Sequence, residues 1–292
     1  LPNNPFILNP QSCTTILPFR NLMSIKMLCF YNIYFLNGYR LESMLYLFVD
    51  KMSGWIESHF QRVKNRMFKK EGDGMTIQEE KAYQELQILE ERYPVLVPLH
   101  KEIAEAFSMM RDSFERGGKL LLCGNGGSSA DSDHIVGELM KGFCKRRRIS
   151  EELSSELKAL YGEEEAEYFT KHLEQGLPAI AFSAQTALHT AYSNDQDEAL
   201  FYAQCLLGYG KKEDVLFGIS TSGNAKNVGY ALKLAKAMGI KSILLTGKDG
   251  GTGKELADLS IIAPSKETYQ IQELHLPIYH CLCLMIEAYF FG

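Results

Sequence analysis

The chain has 292 residues, of which 46% are hydrophobic, enough for a substantial core in one large domain or two smaller ones. Its formal net charge of −5 argues against a general nucleic-acid binder, and the one dense basic run, at 145–148, is followed by acidic sequence. The seven cysteines show no paired framework, which indicates a reduced, cytoplasmic protein.

Residues 1–51 form an atypical leader rich in Leu, Phe, Tyr, Asn and Ile, whose apolar runs are interrupted by charged and amide side chains. No run reaches the roughly 20 apolar residues that a bilayer-spanning helix needs. The ordered segments of a signal peptide are missing as well. Because Met52 and the residues after it resemble a natural start, we expect the leader to be dispensable or not native, and we expect no membrane contact.

Residues 52–95 predict an N-terminal helical arm. Apolar side chains recur at helical spacing over 55–67, and a charged helical pattern over 77–93 stops at Pro94. A further amphipathic helix is predicted over 100–117, where two glycines end it. None of these segments carries evident chemistry, so we expect them to pack on the domain or on another subunit.

Residues 119–143 predict a short buried strand, a glycine-serine turn and an amphipathic helix. We expect Ser128 and Ser129 to cap that helix, so that unpaired N–H groups and the positive end of the helix dipole face one spot beside Gly126 and Gly127. Such a spot binds anions, most often phosphate. An ordinary tight strand-to-helix turn is the simpler alternative.

The same predicted helix carries His134 and Glu138, which are four residues apart and therefore share a face. An imidazole and a carboxylate at this spacing can share a metal ion or a proton-transfer task. Taken alone, they are more simply interpreted as an intrahelical hydrogen-bonded pair. A functional site therefore requires partners from elsewhere in the chain.

The remaining sequence alternates short apolar strands with helices. Residues 144–175, rich in Glu, Lys and Leu, predict an inserted helical pair. Strands are then predicted over 179–183, 214–220, 241–246 and 259–263, and helices over 198–208, 224–238 and 268–290. Together with the strand after residue 119, this pattern predicts an α/β fold with a five-stranded parallel sheet flanked by helices.

A second loop, between a predicted strand and a predicted helix, holds Ser220, Thr221, Ser222 and Asn224. Its hydroxyl and N–H donors can ligate phosphate oxygens, although Ser-Thr-Ser-Gly is also a common helix-capping sequence. Because open α/β sheets bind ligands at the carboxyl ends of their strands, two such loops favour a ligand site there.

The last predicted helix carries Gln272, His275 and His280 among apolar residues. Each of them alone is more simply interpreted as a core polar residue satisfied by a neighbour. Together with His134 and Glu138 they supply the nitrogen and oxygen ligands that suit Zn²⁺, provided that the helices meet.

Four motifs in this order, at 123–131, 218–224, 245–251 and 271–275, the last followed by His280, resemble the sugar isomerase (SIS) domain of phosphoheptose isomerases over roughly residues 96–292. The resemblance implies a flavodoxin-like or Rossmann-like sheet and a homotetramer or homodimer with sites between subunits. It also implies conversion of sedoheptulose 7-phosphate to D-glycero-D-manno-heptose 7-phosphate, with Glu138 and His280 as the acid/base pair. The resemblance further implies phosphate or sugar binding by Asn125, Gly126, Gly127, Ser128, Ser220, Thr221, Ser222, Asn224 and Gln272, and, in zinc-bearing members, a metal at His134, Glu138, Gln272 and His280.

Isomerisation through an enediol needs one group to move a proton at carbon and another at oxygen, and a carboxylate with an imidazole can do both near neutral pH. We expect Glu138 to be the carbon base and His280 the oxygen acid, with the reverse order open. A zinc ion, if bound, would stabilise the enediolate, and no other cofactor is expected.

Other functions stay open because the chain departs from the family pattern, for example at Ala225, where a serine is common, and in the insertion at 144–175. One alternative is an isomerase of another phosphosugar. A second is a non-catalytic SIS protein that binds phosphosugars or a replication initiator. The presence of both Glu138 and His280 favours an enzyme.

Overall fold

The computed structural model describes residues 75–292, which form one compact unit, Met75–Gly292. The leader at 1–51 and the predicted helix at 55–67 lie outside the described residues. In chain order the elements are α1 Ile77–Arg92, α2 His100–Glu115, β1 Leu120–Gly124, α3 Gly127–Met140, α4 Glu151–Tyr161, α5 Glu163–His172, β2 Ala179–Ala181, α6 Thr186–Asp195, α7 Phe201–Tyr209, β3 Val215–Ser220, α8 Lys226–Met238, β4 Lys241–Thr246, β5 Leu259–Ile262 and α9 Thr268–Phe291, with 3-10 turns at Pro94–Leu99, Phe182–Ala184, Glu198–Leu200 and Thr252–Glu255.

The five strands form one parallel sheet in the order β2-β1-β3-β4-β5, which confirms the predicted sheet. Strands β1 and β3 are buried along their whole length, as expected for a sheet with helices on both faces. In the register of β1 with β3, Gly124 lies opposite Ile219. The loops that follow these two strands therefore leave the sheet side by side.

Each face of the sheet carries its own hydrophobic core. Along β1, Leu120 and Leu122 point into a core shared with α1, α2, α3 and α9. Leu121 and Cys123 point into the opposite core, which α7 and α8 complete. This alternation is the two-residue period of a strand, and it fixes α3 and α9 on the same side of the sheet.

Helix α9 is, within residues 75–292, the one helix long and apolar enough to cross a bilayer by length and composition alone. However, 61% of its apolar window is buried inside the protein. Core positions such as Ile271, Ile278 and Met285 are fully covered by the rest of the molecule. The helix is therefore a core element, and Pro277 is buried within it.

The structure differs from the prediction at the end of β2 and in the segment that follows it. Strand β2 ends at Ala181, two residues earlier than predicted, because the chain turns at Phe182–Ala184 and buries the Phe182 ring in the core. Helix α6 was not predicted at all. It has no buried residue, so its sequence carries no amphipathic period that could reveal it.

Residues 144–175 contain α4 and α5, the two helices expected there. They pack chiefly against each other. None of the residues of α4 is buried, and Ala166 is the one buried residue of α5. The pair therefore contributes little to either core of the sheet.

Candidate functional site

The loop after β1 begins α3 differently from the expected serine cap. The N-cap is Gly126, with φ 56°, and no side chain caps the helix. Ser128 lies in the first turn, where it is 4% exposed and donates its N–H to the Asn125 carbonyl at 3.0 Å. The prediction that Ser128 and Ser129 cap the helix was wrong, because the positive φ of Gly126 starts the helix before them.

Asn125, in the loop after β1, contacts the first turn of α8 and the helix α7. Its side-chain amide exchanges two hydrogen bonds with that of Asn227, at 2.8 and 2.9 Å. The Tyr202 hydroxyl also donates to Asn125 Oδ1 at 3.2 Å and to the Gly124 carbonyl. Neither Asn227 nor Tyr202 was predicted to act here, because only the packing of α7 and α8 on one face of the sheet brings them to this loop.

The second loop, residues 221–224, is held by the motif at 245–251. Gly223 has φ 65°, and a Cβ there would lie 1.9 Å from the Gly250 carbonyl oxygen. The Asn224 side chain donates to the Ser222 carbonyl at 3.0 Å and accepts the Thr252 N–H at 3.0 Å. Ser220 is 6% exposed at the end of β3, and Thr221 and Ser222 are partly exposed beyond it.

Gln272, near the start of α9, lies against the first loop. A Cβ on Gly127 would come within 2.4 Å of Gln272 Nε2, the tip of a flexible side chain that would have to shift to admit it. The structure therefore brings one residue of the predicted α9 set next to the predicted phosphate loop.

Helices α3 and α9 meet, and they bring His134, Glu138 and His280 together. His134 Nε2 lies 3.0 Å from Glu138 Oε1. The His134 and His280 rings are perpendicular, with centroids 4.9 Å apart. Glu138 Oε2 and His280 Nε2 are buried and have no hydrogen-bond partner within the described part of the chain, although Lys141 Nζ lies 3.7 Å from Glu138 Oε2.

The surroundings of His280 favour a neutral ring. Burial, reinforced by the neighbouring His134, lowers the pKa of His280 below its ordinary value, and the Glu138 carboxylate partly opposes this. A neutral imidazole can both donate and accept a proton at pH 7. Glu138 and His280 together can thus accept and donate the protons that an acid/base reaction requires.

Two further polar groups complete this cluster and were not predicted to act in it. The Tyr279 hydroxyl lies 3.0 Å from His134 Nδ1 and donates to Asp131 Oδ1 at 3.3 Å. Burial raises the pKa of Asp131, which the Tyr279 hydrogen bond partly offsets. In the sequence, only their positions could have pointed to them: Asp131 lies one helical turn before His134, and Tyr279 directly precedes His280.

His275, by contrast, is a core residue. It is 0% exposed, and its Nε2 lies 3.1 Å from the Thr246 carbonyl oxygen, facing away from the cluster on α3. Burial lowers the pKa of His275 to about 4.

The donor types of His134, Glu138, Gln272 and His280 suit zinc. Among residues 75–292, no group of three or more His, Cys, Asp or Glu side chains is placed to hold a metal ion. We therefore derive no chemical step from a metal.

Comparisons with known proteins agree with the motifs. The SIS domain family matches residues 91–175 and, in a second form, 172–286. The chain is 36% identical to the phosphoheptose isomerase of Helicobacter pylori over 67% of this chain and 88% of that protein. It is 42% identical to the phosphoheptose isomerase of a Nitratiruptor species over 59% of this chain and 78% of that protein.

Solved structures give the same result. The phosphoheptose isomerase from Francisella tularensis is 29% identical, with a TM-score of 0.55, over 73% of this chain and 98% of that one. The phosphoheptose isomerase GmhA from Neisseria gonorrhoeae is 28% identical, with a TM-score of 0.52, over 71% and 94% of the two chains.

Proposed function

The chain belongs to the phosphoheptose isomerase family of SIS-domain proteins, and from that membership we propose that it interconverts sedoheptulose 7-phosphate and D-glycero-D-manno-heptose 7-phosphate. It is an enzyme, an aldose–ketose isomerase. The observation that carries the assignment of its chemistry is the meeting of Glu138 on α3 with His280 on α9, through the shared neighbour His134.

In this proposal Glu138 and His280 divide the proton transfers. The carboxylate of Glu138 takes the proton from the carbon beside the carbonyl, while His280 gives a proton to the carbonyl oxygen, which yields an enediol. Return of this proton to the former carbonyl carbon, with loss of the hydroxyl proton on the carbon that was first deprotonated, moves the carbonyl to that carbon and gives the isomeric sugar. We assign these transfers to Glu138 Oε2 and His280 Nε2, which have no hydrogen-bond partner among residues 75–292.

The two loops after β1 and β3 would hold the substrate. We assign phosphate and sugar-hydroxyl contacts to the exposed backbone of Gly126 and Gly127, to Thr221 and Ser222, and to the Gln272 amide. We assign a different role to four residues that are buried or already bonded within the loops: they hold the loops in shape. They are Asn125, Ser128, Ser220 and Asn224. Their effect on the substrate would then be indirect.

Three further properties belong to the proposal. Family membership supports a homotetramer or homodimer with sites between subunits. Zinc, at His134, Glu138, Gln272 and His280, would require His134 to leave its bond with Glu138. A reduced, cytoplasmic location is supported by the five cysteines of residues 75–292, all of which are unpaired thiols.

The test is an isomerisation assay on the purified full chain with sedoheptulose 7-phosphate, following the aldose by NMR, with parallel samples in chelator and in added Zn²⁺. We expect turnover, and we expect Glu138→Gln and His280→Asn each to lower kcat by at least about 100-fold, because each removes one proton-transfer group. Glu273→Gln, an exposed carboxylate on α9, is the matched control and keeps wild-type turnover.

Full activity in Glu138→Gln would contradict the assignment of the acid/base pair. The wild type could bind sedoheptulose 7-phosphate in calorimetry without turning it over, and yet isomerise a pentose or hexose phosphate. That result would overturn the seven-carbon substrate but would keep the assignment as an aldose–ketose isomerase. Activity that disappears in chelator and returns with Zn²⁺ would establish a metal-dependent enzyme.

A further inference from the structure

Tyr279 reaches from α9 to the helix that carries Glu138. It is 1% exposed, and its hydroxyl lies within hydrogen-bond distance of two side chains of α3, Asp131 and His134. Its ring also packs edge-on against both neighbouring imidazoles, with centroids 5.5 Å from His134 and 5.1 Å from His280. No other tyrosine hydroxyl of residues 75–292 has a hydrogen bond to this cluster.

The Tyr279 hydroxyl contacts one of the two ring nitrogens of His134. Imidazole has two distinct nitrogens, and the bond made by one decides where the other points. Tyr279 holds Nδ1, so Nε2 faces Glu138 Oε1 at 3.0 Å. The His134 side chain is 42% exposed and packs edge-on against the rings of Tyr279 and His280, and the bond to Nδ1 adds the directional contact that selects its rotamer.

Glu138 in turn depends on His134. Its side chain is 13% exposed, and His134 is the one hydrogen-bond partner of its carboxylate within the described residues. The contacts therefore run in a line from Asp131 through Tyr279 and His134 to the carboxylate that meets the substrate.

We propose that Tyr279 is a positioning residue: its hydroxyl, anchored on Asp131, orients His134 and through it the Glu138 carboxylate for proton transfer. This inference rests on the proposed function of the site. It assigns Tyr279 no contact with the substrate, so its loss should slow the reaction without weakening substrate binding.

Tyr279→Phe tests this, because it removes the hydroxyl and keeps the buried ring. Tyr289→Phe is the matched control, since Tyr289 also lies on α9 and donates its hydroxyl to a carboxylate, Glu115, outside the cluster. We expect kcat of Tyr279→Phe to fall about 10-fold with KM unchanged within about twofold, because a misoriented catalytic group slows chemistry by one to two orders of magnitude. Tyr289→Phe keeps wild-type kcat.

A double-mutant cycle with His134→Gln shows whether Tyr279 acts through His134. If it does, the double variant is no slower than His134→Gln alone, whereas independent effects would multiply. Multiplying losses, or wild-type kcat in Tyr279→Phe, would overturn the inference.

Crystal structures of the wild type and of Tyr279→Phe give a readout that does not depend on activity. We expect His134 to leave its rotamer and its 3.0 Å approach to Glu138 in the variant. An unchanged His134–Glu138 pair would refute the positioning role even if the wild type proved inactive on the heptose. Absence of wild-type turnover together with a displaced His134 would instead count against the proposed function alone.

Discussion

His275 and His280 lie on the same helix, five residues apart, but their surroundings differ. His280 faces α3, and its Nε2 has no hydrogen-bond partner among residues 75–292, whereas His275 is enclosed and bonded to the backbone of β4. The identity of the residue was therefore a poor guide to its role. Burial and partners separated a core histidine from a candidate catalytic one.

The burial of His275 predicts a loss of stability in mild acid. Its pKa of about 4 in the folded protein lies below that of an unfolded histidine, about 6.5, so the unfolded state binds more protons between these values. The free energy of unfolding should therefore fall as the pH drops from about 6.5 to about 4, by up to about 3 kcal/mol. Urea unfolding at pH 7 and pH 5 measures this.

His275→Gln removes the titrating group and should flatten this pH dependence, while His172→Gln, at an exposed position on α5, should keep it. An equal slope in the wild type and His275→Gln would show that other groups cause the acid sensitivity.

At the scale of elements, a buried ion pair fastens the end of α3 to α9. The Arg147 guanidinium donates to Glu287 Oε1 at 2.9 Å and to the carbonyls of Leu139 and Glu138 at 2.6 and 3.0 Å. The Glu287 carboxylate also accepts the three N–H groups of residues 143–145. Both side chains are at most 1% exposed. The pair thus organises the segment that leads from α3 into α4.

Glu287→Gln should lower the free energy of unfolding by about 3 kcal/mol, because it leaves the buried Arg147 charge without its counter-ion. Lys241→Gln breaks an exposed pair with Asp258 at 3.5 Å and should cost less than about 1 kcal/mol. Chemical denaturation of both variants gives the comparison. Equal costs would mean that the buried pair is no more important than a surface one.

At the scale of the whole molecule, α4 and α5 stand outside both cores. The segments before α4 and after α5 lie side by side, because Gln175 donates its N–H to the Arg147 carbonyl at 2.7 Å. Several of their large apolar side chains are exposed, including Leu160, Tyr161 and Tyr168 at 63% each. The sheet and its two cores are complete without them.

Replacing residues 149–173 by two glycines should therefore leave a folded protein. We expect the midpoint of thermal unfolding to change by less than about 5 °C, because little apolar area is lost from the cores. Circular dichroism should show a smaller helical signal with a cooperative transition. An aggregated product, with the wild type soluble at the same concentration, would show that α4 and α5 are structurally required.

The sequence by itself determined the parallel sheet, because doubly covered strands such as Leu120–Gly124 and Val215–Ser220 are continuous apolar runs between turn-forming residues. It also determined the positions of both loops after these strands. These are local signals, carried by residues that are close together in the chain. Helix α6, with no buried residue, gave no such signal.

The tertiary structure decided which of the candidate residues meet. The contact between His134 and Tyr279 joins residues 145 positions apart, and the pairing of Asn125 with Asn227 joins residues 102 apart. Periodicity describes one helix or strand at a time and cannot specify which faces pack together. Only packing on one face of the sheet brings α3 and α9 into contact, and that contact assembles the candidate acid/base cluster around Glu138.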